Sequence, residues 1–445
     1  MKNGIFIAVL ALVCSANWVI AQQPALQYYR SWDKEGINVF EPSKKAQQPE
    51  YTGFKIRIGG SFTQDFQSLS HENVDTSATK KNALWEVGPG FNLAMANLNL
   101  DMQIDDGIRV GLENYMSARH HNEFWVKGGY IQIDKLPMFN SPQWFTDYLR
   151  VKIGHFQPNF GDMQFRRSDG GNTMFNPFVE NLIFDAFTTE IGGEVYVFPV
   201  DGSTGAGSVE YFCTLPLMSS GFINGNVQKY STDPAPVEPN EKKPSIFFKV
   251  AYDKTFGDLR FRLSASMYNN PSIQRNTLYA GDRTGSHYFM VLEPKAGTYS
   301  GNKDSGRFTA LGVSSKINAI SINPFIKFHG LEVFGDYQMI KGRTNAERDG
   351  SERKFDQLAI EGLYRFLKNE QAYIGARYIQ AKGTPQGFAN EMSIDRVAVA
   401  AGWFPNRHLL LKGEYVVQNY KDFPGTSILH EGKFDGFVIE AVIGF

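Results

Sequence analysis

Three short stretches of the sequence share one pattern, in which a single apolar residue separates two basic residues. They are Lys55-Ile56-Arg57, Arg150-Val151-Lys152 and Arg260-Phe261-Arg262. Successive side chains of a β-strand point to opposite faces, so both basic residues of a triplet lie on the same face. A Lys or Arg side chain that faces lipid at the middle of a membrane costs about 2–4 kcal/mol. The pattern therefore predicts six cations on the watery side of a membrane sheet.

Two adjacent cations, Arg166 and Arg167, lie in a long connection between two predicted strands, residues 157–188. A connection of this length in a compact domain is either functional or disordered. This one contains Phe160, Phe165 and further phenylalanines, a composition that argues against disorder. We predict that the connection folds into a barrel and narrows its bore, with Arg166 and Arg167 facing the solute. Arg and Lys side chains at a constriction favour anions and phosphate.

Each of these predictions has a plainer alternative. Long basic side chains near a strand end can extend to lipid headgroups instead of lining the lumen. The loop cations Arg166 and Arg167 can equally be solvated. Acidic residues on the lumen side would neutralise part of the positive field, and the candidates are Glu113, Glu194, Glu361, Glu414 and Glu440. We predict lumen-facing cations and a net preference for anions over these alternatives.

Common catalytic and metal-binding motifs are absent from the sequence. It contains no His-Glu-x-x-His, no Cys-x-x-Cys, no phosphate-binding loop and no nucleophile elbow. The adjacent His120 and His121 are expected to be solvated loop residues, since no carboxylate lies at metal-ligand spacing from them. The sequence therefore predicts no enzyme, no metal site and no cofactor.

The N-terminus indicates export. Residues 1–21 combine Lys2, an apolar run and a small-residue cleavage site, as in a secretory signal peptide. Lipoprotein processing at Cys14 is the alternative, which the bulky Val13 disfavours. With Cys213 as the only other cysteine, the chain is not a disulfide-stapled domain. After the signal no apolar run reaches the roughly 20 residues of a transmembrane helix, and the net charge of −1 indicates no nucleic-acid partner.

The rest of the chain alternates apolar and polar residues, as strands with one wet face do. In the last stretch the residues that share one face are Phe437, Ile439, Ala441, Ile443 and Phe445. The chain contains 36 phenylalanines and 14% aromatic residues, yet its mean hydropathy is −0.32. Many aromatics in an otherwise polar chain are typical of outer-membrane barrels.

About 16 strands fit into residues 52–445, with short turns at one end and long loops at the other, which is the asymmetry of bacterial barrels. We therefore predict an all-β fold, a transmembrane antiparallel β-barrel whose third extracellular loop folds inward. Residues 22–51 are predicted to be a periplasmic lead-in. Residues 286–292 are a candidate for an additional strand. A soluble β-sandwich is the alternative, but one domain of more than 400 residues would be large for it.

Two segments resemble a known family. Residues 149–161, LRVKIGHFQPNFG, resemble the strand-plus-loop signature of the phosphate-selective porin family (porins O and P), especially its Bacteroidetes-like members. Residues 323–332, NPFIKFHGLE, look like a second signature of that family. A last strand that closes on Phe445 resembles the signal read by the barrel assembly machinery. The resemblance implies a trimeric porin of 16 strands, with anion passage along Arg150, Lys152, Arg166 and Arg167.

We therefore predict a porin in the outer membrane of a Gram-negative cell. It lets small anionic, phosphate-like solutes diffuse passively through a water-filled pore lined by Arg and Lys. Its expected partners are outer-membrane lipid, small anions, two further copies in a homotrimer and the barrel assembly machinery. The alternative function is a nutrient-capture or surface-binding barrel without selective channel activity. An outer-membrane enzyme is a third hypothesis, which the missing nucleophile constellation disfavours.

Overall fold

The computed structural model describes most of the chain from residue 23 to residue 445. The exceptions are positions 78, 121–122, 169–170, 200–209, 221–241, 274, 283, 299–304, 309–310 and 348–351, and the side chains at 93, 120 and 210–220. The predicted signal peptide, residues 1–21, therefore lies outside the described residues. So do His121 and the side chain of His120, the pair expected to be solvated.

Sixteen β-strands and one short α-helix form the regular structure of the described residues. The strands are β1 (Lys55–Glu72), β2 (Gly90–Asp105), β3 (Ile108–Ser117), β4 (Trp125–Ile133), β5 (Leu149–Phe156), β6 (Glu190–Val197), β7 (Glu210–Ser220), β8 (Ile246–Phe256), β9 (Leu259–Asn270), β10 (Lys316–Phe328), β11 (Leu331–Arg343), β12 (Arg353–Phe366), β13 (Ala372–Gly383), β14 (Met392–Asn406), β15 (Leu409–Lys421) and β16 (Lys433–Gly444). The helix is α1 (Gln143–Tyr148), and short 3-10 turns span Lys34–Gly36, Ala118–His120, Pro137–Phe139, Met163–Phe165, Asn345–Glu347 and Lys368–Glu370.

The sheet is closed. Every strand pairs antiparallel with its neighbours in sequence, and β1 also pairs with β16. The last residue, Phe445, exchanges two backbone hydrogen bonds with Gly60 of β1, at 3.1 and 3.2 Å. The predicted antiparallel barrel of about 16 strands is therefore confirmed. Residues 286–292 form bends and turns and are not a strand.

The two faces of the barrel differ in the way that the alternating sequence predicts. Along β16 the apolar side chains of Phe437, Ile439 and Ile443 are exposed, whereas Val438 and Glu440 between them are fully buried. An apolar exterior around a sheet without edges suits a lipid bilayer, because every backbone polar group is paired within the protein. No helix among the described residues has the length and apolar character needed to cross a membrane.

Three segments fill much of the barrel interior. They are the third loop (residues 157–189), the fifth loop (residues 271–315) and the stretch before β1, residues 23–54, which we call the N-terminal strap. Buried third-loop residues include Phe178 and Phe184, and buried fifth-loop residues include Tyr288 and Val291. The predicted inward fold of the third loop is confirmed.

The N-terminal strap starts at the end of the barrel that has the short turns. Its Lys34 backbone N–H donates to the carbonyl of Arg407 in the β14–β15 turn at 3.0 Å. Farther along the strap, Phe40 is 2% exposed and packs edge-on against the ring of Phe325 on β10. The sequence predicted a periplasmic lead-in here, and the structure adds that this segment packs inside the barrel.

A lysine in the middle of the exterior face is expected to destabilise the barrel. Ile439 lies near the centre of β16 and is 56% exposed, whereas Ile443 lies near the periplasmic end and is 46% exposed. Ile439→Lys should lower the free energy of unfolding in lipid vesicles by about 2–4 kcal/mol, and Ile443→Lys by about 0–1 kcal/mol. Urea titration of the two variants measures both values. Equal losses would contradict a lipid-facing exterior.

Candidate pore interior

The basic residues of the first triplet lie on the inner face of the barrel. Ile56 is exposed on the exterior, whereas Lys55 and Arg57 on the other face of β1 are half-buried. The guanidinium of Arg57 lies 5.0 Å from the ring centre of Tyr29 in the N-terminal strap. That these cations contact a solute stays a prediction.

The two cations of the second triplet have different surroundings. Arg150 is 2% exposed, and its Nε donates to a carboxylate oxygen of Asp134 at 2.8 Å. Lys152 is half-buried and has no hydrogen-bond partner among the described residues. Its Nζ lies 4.0 Å from the ring centre of Tyr130 and 4.7 Å from that of Phe156. Asp134 therefore neutralises Arg150, whereas Lys152 keeps its donors available.

The cations of the third triplet are both paired with acids. Arg260 forms an ion pair with Asp253 at 2.6 Å. Arg262 donates to Asp162 of the third loop and to Glu41 of the N-terminal strap, each at 2.8 Å. Burial alone would raise the pKa of Asp162, but Arg262 and Lys249 of β8 hold it well below its usual range. These contacts join the strap, the third loop and the barrel wall.

The structure places Arg166 and Arg167 in buried ion pairs, and that these two side chains contact a solute stays a prediction. They are 3% and 1% exposed, and both form ion pairs within the barrel. Arg166 pairs with Glu361 of β12. Arg167 pairs with Asp185 of its own loop at 2.7 Å and with Asp282 of the fifth loop at 3.2 Å. A buried guanidinium without a partner charge costs several kcal/mol, so the inward fold requires these carboxylates.

The barrel wall also holds the third loop through its backbone. Arg377, Arg396 and Lys412 donate to carbonyl oxygens of third-loop residues at 2.6–3.2 Å. Lys412 donates to three of these carbonyls, those of Thr173, Asn176 and Phe178. Buried carbonyl groups outside regular structure need such donors. These wall cations therefore anchor the loop.

The N-terminal strap is anchored in the same way. Lys44 donates to the carboxylate of Asp134 at 3.3 Å and to the carbonyl of Leu149 at 2.7 Å. Burial lowers the pKa of Lys44 to about 8, although Asp134 opposes the shift. Glu41 accepts from Lys249 of β8 at 2.9 Å. No pattern in the sequence indicated these contacts, because the strap is short, polar and without periodicity.

A buried cluster anchors the fifth loop to three strands of the wall. His287 Nδ1 lies 2.9 Å from Asp65 of β1 and 3.0 Å from Glu440 of β16, and Lys412 Nζ of β15 lies 2.7 Å from Glu440. Burial alone would lower the pKa of His287, but the carboxylates of Asp65 and Glu440 raise it well above its usual range. With His287 protonated, two cations balance two acids. An imidazole and two carboxylates are also donors that suit a metal ion, but the Lys412 ammonium supplies positive charge there.

Among the spaces bounded by described residues, two lie between the strap and the barrel wall. A vestibule of about 640 Å³ opens at the short-turn end, beside Arg260 of the third triplet. An inner chamber of about 160 Å³ lies against the wall formed by β2–β6. Tyr29, Phe40, Glu41 and Pro42 of the strap line both spaces. The strap therefore borders both spaces.

Comparison with known proteins agrees with this architecture. No family model and no curated protein sequence matches the chain. The anion-selective porin of Comamonas acidovorans matches it with a TM-score of 0.52 and 11% identity, over 88% of this chain and 100% of that chain. The chain has the fold of an outer-membrane porin. This fold and the apolar exterior confirm the predicted outer-membrane location.

Two further structures give TM-scores below 0.5. The outer-membrane channel DcaP of Acinetobacter baumannii matches with a TM-score of 0.46 and 11% identity, over 90% of this chain and 100% of that chain. In-vitro folded OmpT of Vibrio cholerae matches with a TM-score of 0.49 and 9% identity, over 89% of this chain and 99% of that chain. At such identities a likeness shows the fold alone. The match to the Comamonas porin supports the porin fold, and membership of the phosphate-selective family stays a prediction.

Removal of a buried loop cation is expected to destabilise the protein. Arg167→Gln leaves Asp185 and Asp282 with less compensating charge and should lower the free energy of unfolding by about 3–5 kcal/mol. The matched control is Lys382→Gln, since Lys382 is a surface residue whose side chain is 43% exposed and 3.9 Å from Glu391. That control should lose about 0–1 kcal/mol. Urea unfolding in detergent measures the free energy of unfolding of both variants. A similar decrease in the two would show that Arg167 does not anchor the loop.

The charge of His287 should make stability depend on pH. Because its folded pKa lies above the unfolded value, its contribution is complete below about pH 6.5 and is lost as pH rises through the folded pKa. The free energy of unfolding of the unmodified chain should therefore fall on the alkaline side. His287→Gln should be less stable at pH 6 and should show a smaller decline between pH 6 and pH 10. Parallel pH profiles of the two proteins would contradict a charged His287.

Proposed function

We propose that the protein is an outer-membrane porin that passes small solutes by passive diffusion and prefers anions. The fold is that of porins, and the support for anion preference is the charge of the inner chamber. The homotrimer, the phosphate-like solute and the recognition of β16 by the assembly machinery stay predictions from the sequence.

Basic residues outnumber acidic residues in the chamber lining. The basic ones are Arg30, Arg109, Lys127, Arg150 and Lys152, and the acidic ones are Glu41, Asp101 and Glu113. Asp101 is already paired with Arg109, and Glu41 with Arg262. Ion pairs of this kind contribute little field at a distance, so the groups outside ion pairs decide the sign of the chamber. These are the cations Arg30 and Lys152 and the acid Glu113, which leaves the lining net positive.

The position and surroundings of Lys152 are the observation that carries the proposal. It lines the chamber, and its Nζ is held over the rings of Tyr130 and Phe156, without a hydrogen-bond partner among the described residues. A narrow space with low-dielectric walls strengthens the field of such a charge. An anion that enters from the vestibule would meet Lys152 with its donors unused, whereas a cation would be repelled.

The sign of the selectivity is measured in a planar bilayer under a potassium chloride gradient. The unmodified porin should give a reversal potential that favours chloride. Lys152→Gln should lower the chloride-to-potassium permeability ratio about fivefold, because a unit charge about 4 Å from an ion is worth about 1 kcal/mol in water. Lys382→Gln, at the other end of the barrel wall, is the matched control and should leave the ratio unchanged. A cation-favouring unmodified channel would refute the anion preference.

A second candidate function is a surface-capture barrel that conducts little. The observation that favours it is the filling of the interior by the N-terminal strap, the third loop and the fifth loop through buried ion pairs. The same bilayer experiment separates the two functions. Stable insertion without single-channel currents would favour capture and refute the porin.

A further inference from the structure

Aromatic side chains form much of the wall of the inner chamber. Six of them line it: Tyr29, Trp32, Phe40, Tyr130, Phe165 and Tyr196. They come from the N-terminal strap, β4, the third loop and β6, so only the folded barrel brings them together. Faces and edges of aromatic rings pack well against another flat ring but give few hydrogen bonds to a hydrated ion.

The chamber has the size of one small organic molecule. Its volume is about 160 Å³, and in another protein an engineered apolar cavity of about 150 Å³ binds benzene. Binding sites for small molecules typically combine an apolar lining with a few well-placed polar groups. Here the lining is aromatic, and the polar groups are predominantly basic.

Two basic side chains in the chamber form no ion pair with a described acid. Lys152 donates no hydrogen bond to a described residue, and the acids nearest to it, Glu194 opposite it on β6 and Glu113 on β3, form no ion pair with it. Arg30 donates only to neutral oxygens of described residues, the side chain of Asn172 at 2.9 Å and the carbonyls of Phe165 and Gly36 at 2.8 and 3.1 Å. Among the lining groups outside ion pairs, the cations Arg30 and Lys152 outnumber the acid Glu113, so one carboxylate in the chamber would balance the remaining charge.

We propose that the inner chamber is a binding site for a small monocarboxylate with a flat apolar body, of the size of one six-membered ring. The ring packs among the aromatic side chains, and the carboxylate accepts a charge-assisted hydrogen bond from Lys152. This deepens the proposed channel function and rests on it for access from the vestibule. Inorganic phosphate suits the chamber less well, because aromatic walls do not replace its hydration shell.

Titration calorimetry on the full-length protein in detergent tests the proposal, with four probes and detergent-only blanks. Benzoate has both features, benzyl alcohol has the ring alone, phosphate has the negative charge alone, and benzylamine has the ring with the opposite charge. Benzoate should bind at least about tenfold more tightly than each of the others, since a hydrogen bond to a charged group is worth about 1.5–3 kcal/mol. Phosphate or benzyl alcohol binding as well as benzoate would overturn the proposal.

Two variants locate the binding site. Lys152→Met should weaken benzoate binding about tenfold, by loss of the same hydrogen bond, and should leave benzyl alcohol binding unchanged. Lys382→Met outside the chamber should leave both unchanged. Heat-modifiable migration on gels shows whether each variant is folded. If Lys152→Met does not fold, the comparison of the four probes on the unmodified protein tests the proposal by itself. Unchanged benzoate binding in a folded Lys152→Met protein would overturn the assignment.

Bilayer recordings separate this proposal from the porin proposal. Benzoate should reduce the chloride current of the unmodified channel in a saturable way, and much less in Lys152→Met. Calorimetric binding without any current would refute the channel and leave the chamber site standing. Current without preferential benzoate binding would refute the chamber site and leave the channel standing.

Discussion

The cost of moving a charge out of water governs the interior of this barrel. A guanidinium or ammonium group inside a protein loses several kcal/mol of hydration, and only a well-placed opposite charge or set of acceptors compensates for it. The barrel wall and the segments within it meet this requirement together. Arg262 of β9, for example, is compensated by Asp162 of the third loop and Glu41 of the N-terminal strap.

The same requirement makes the three inner segments depend on one another. Asp282 of the fifth loop pairs with Arg167 of the third loop, and Arg307 of the fifth loop pairs with Glu180 of the third at 2.9 Å. The strap joins this set through Glu41. Removal of one segment would leave charges of the others buried without partners, so the interior is expected to assemble as a unit. A barrel that conducts must therefore do so through the space left beside these segments.

The proposed selectivity depends on the inner chamber beside these segments. Most inner cations are used to hold the structure, and they add little to selectivity because acids neutralise them. Lys152 differs, since its ammonium group lies over two aromatic rings and forms no ion pair with a described acid, although the carboxylates of Glu194 and Glu113 act on it from farther away. An exposed ring face stabilises a cation only modestly, so the charge remains available to a solute. Selectivity in this porin fold would then come from one or two unpaired side chains and not from the number of basic residues.

The sequence by itself determined the barrel. Period-two alternation along segments such as residues 437–445 specifies which side chains meet lipid, because neighbouring residues of a strand point to opposite faces. The same rule gave the inner face for Lys55 and Arg57, and the Phe-rich composition indicated an inward third loop. Only the tertiary structure decided what the inner cations do. Arg167 and Asp282 are 115 residues apart in the chain. Their contact forms only when the barrel has closed, so no local sequence pattern predicts it. A basic residue looks the same in the sequence whether it meets a solute or a buried carboxylate, since the difference lies in the partners that folding brings to it.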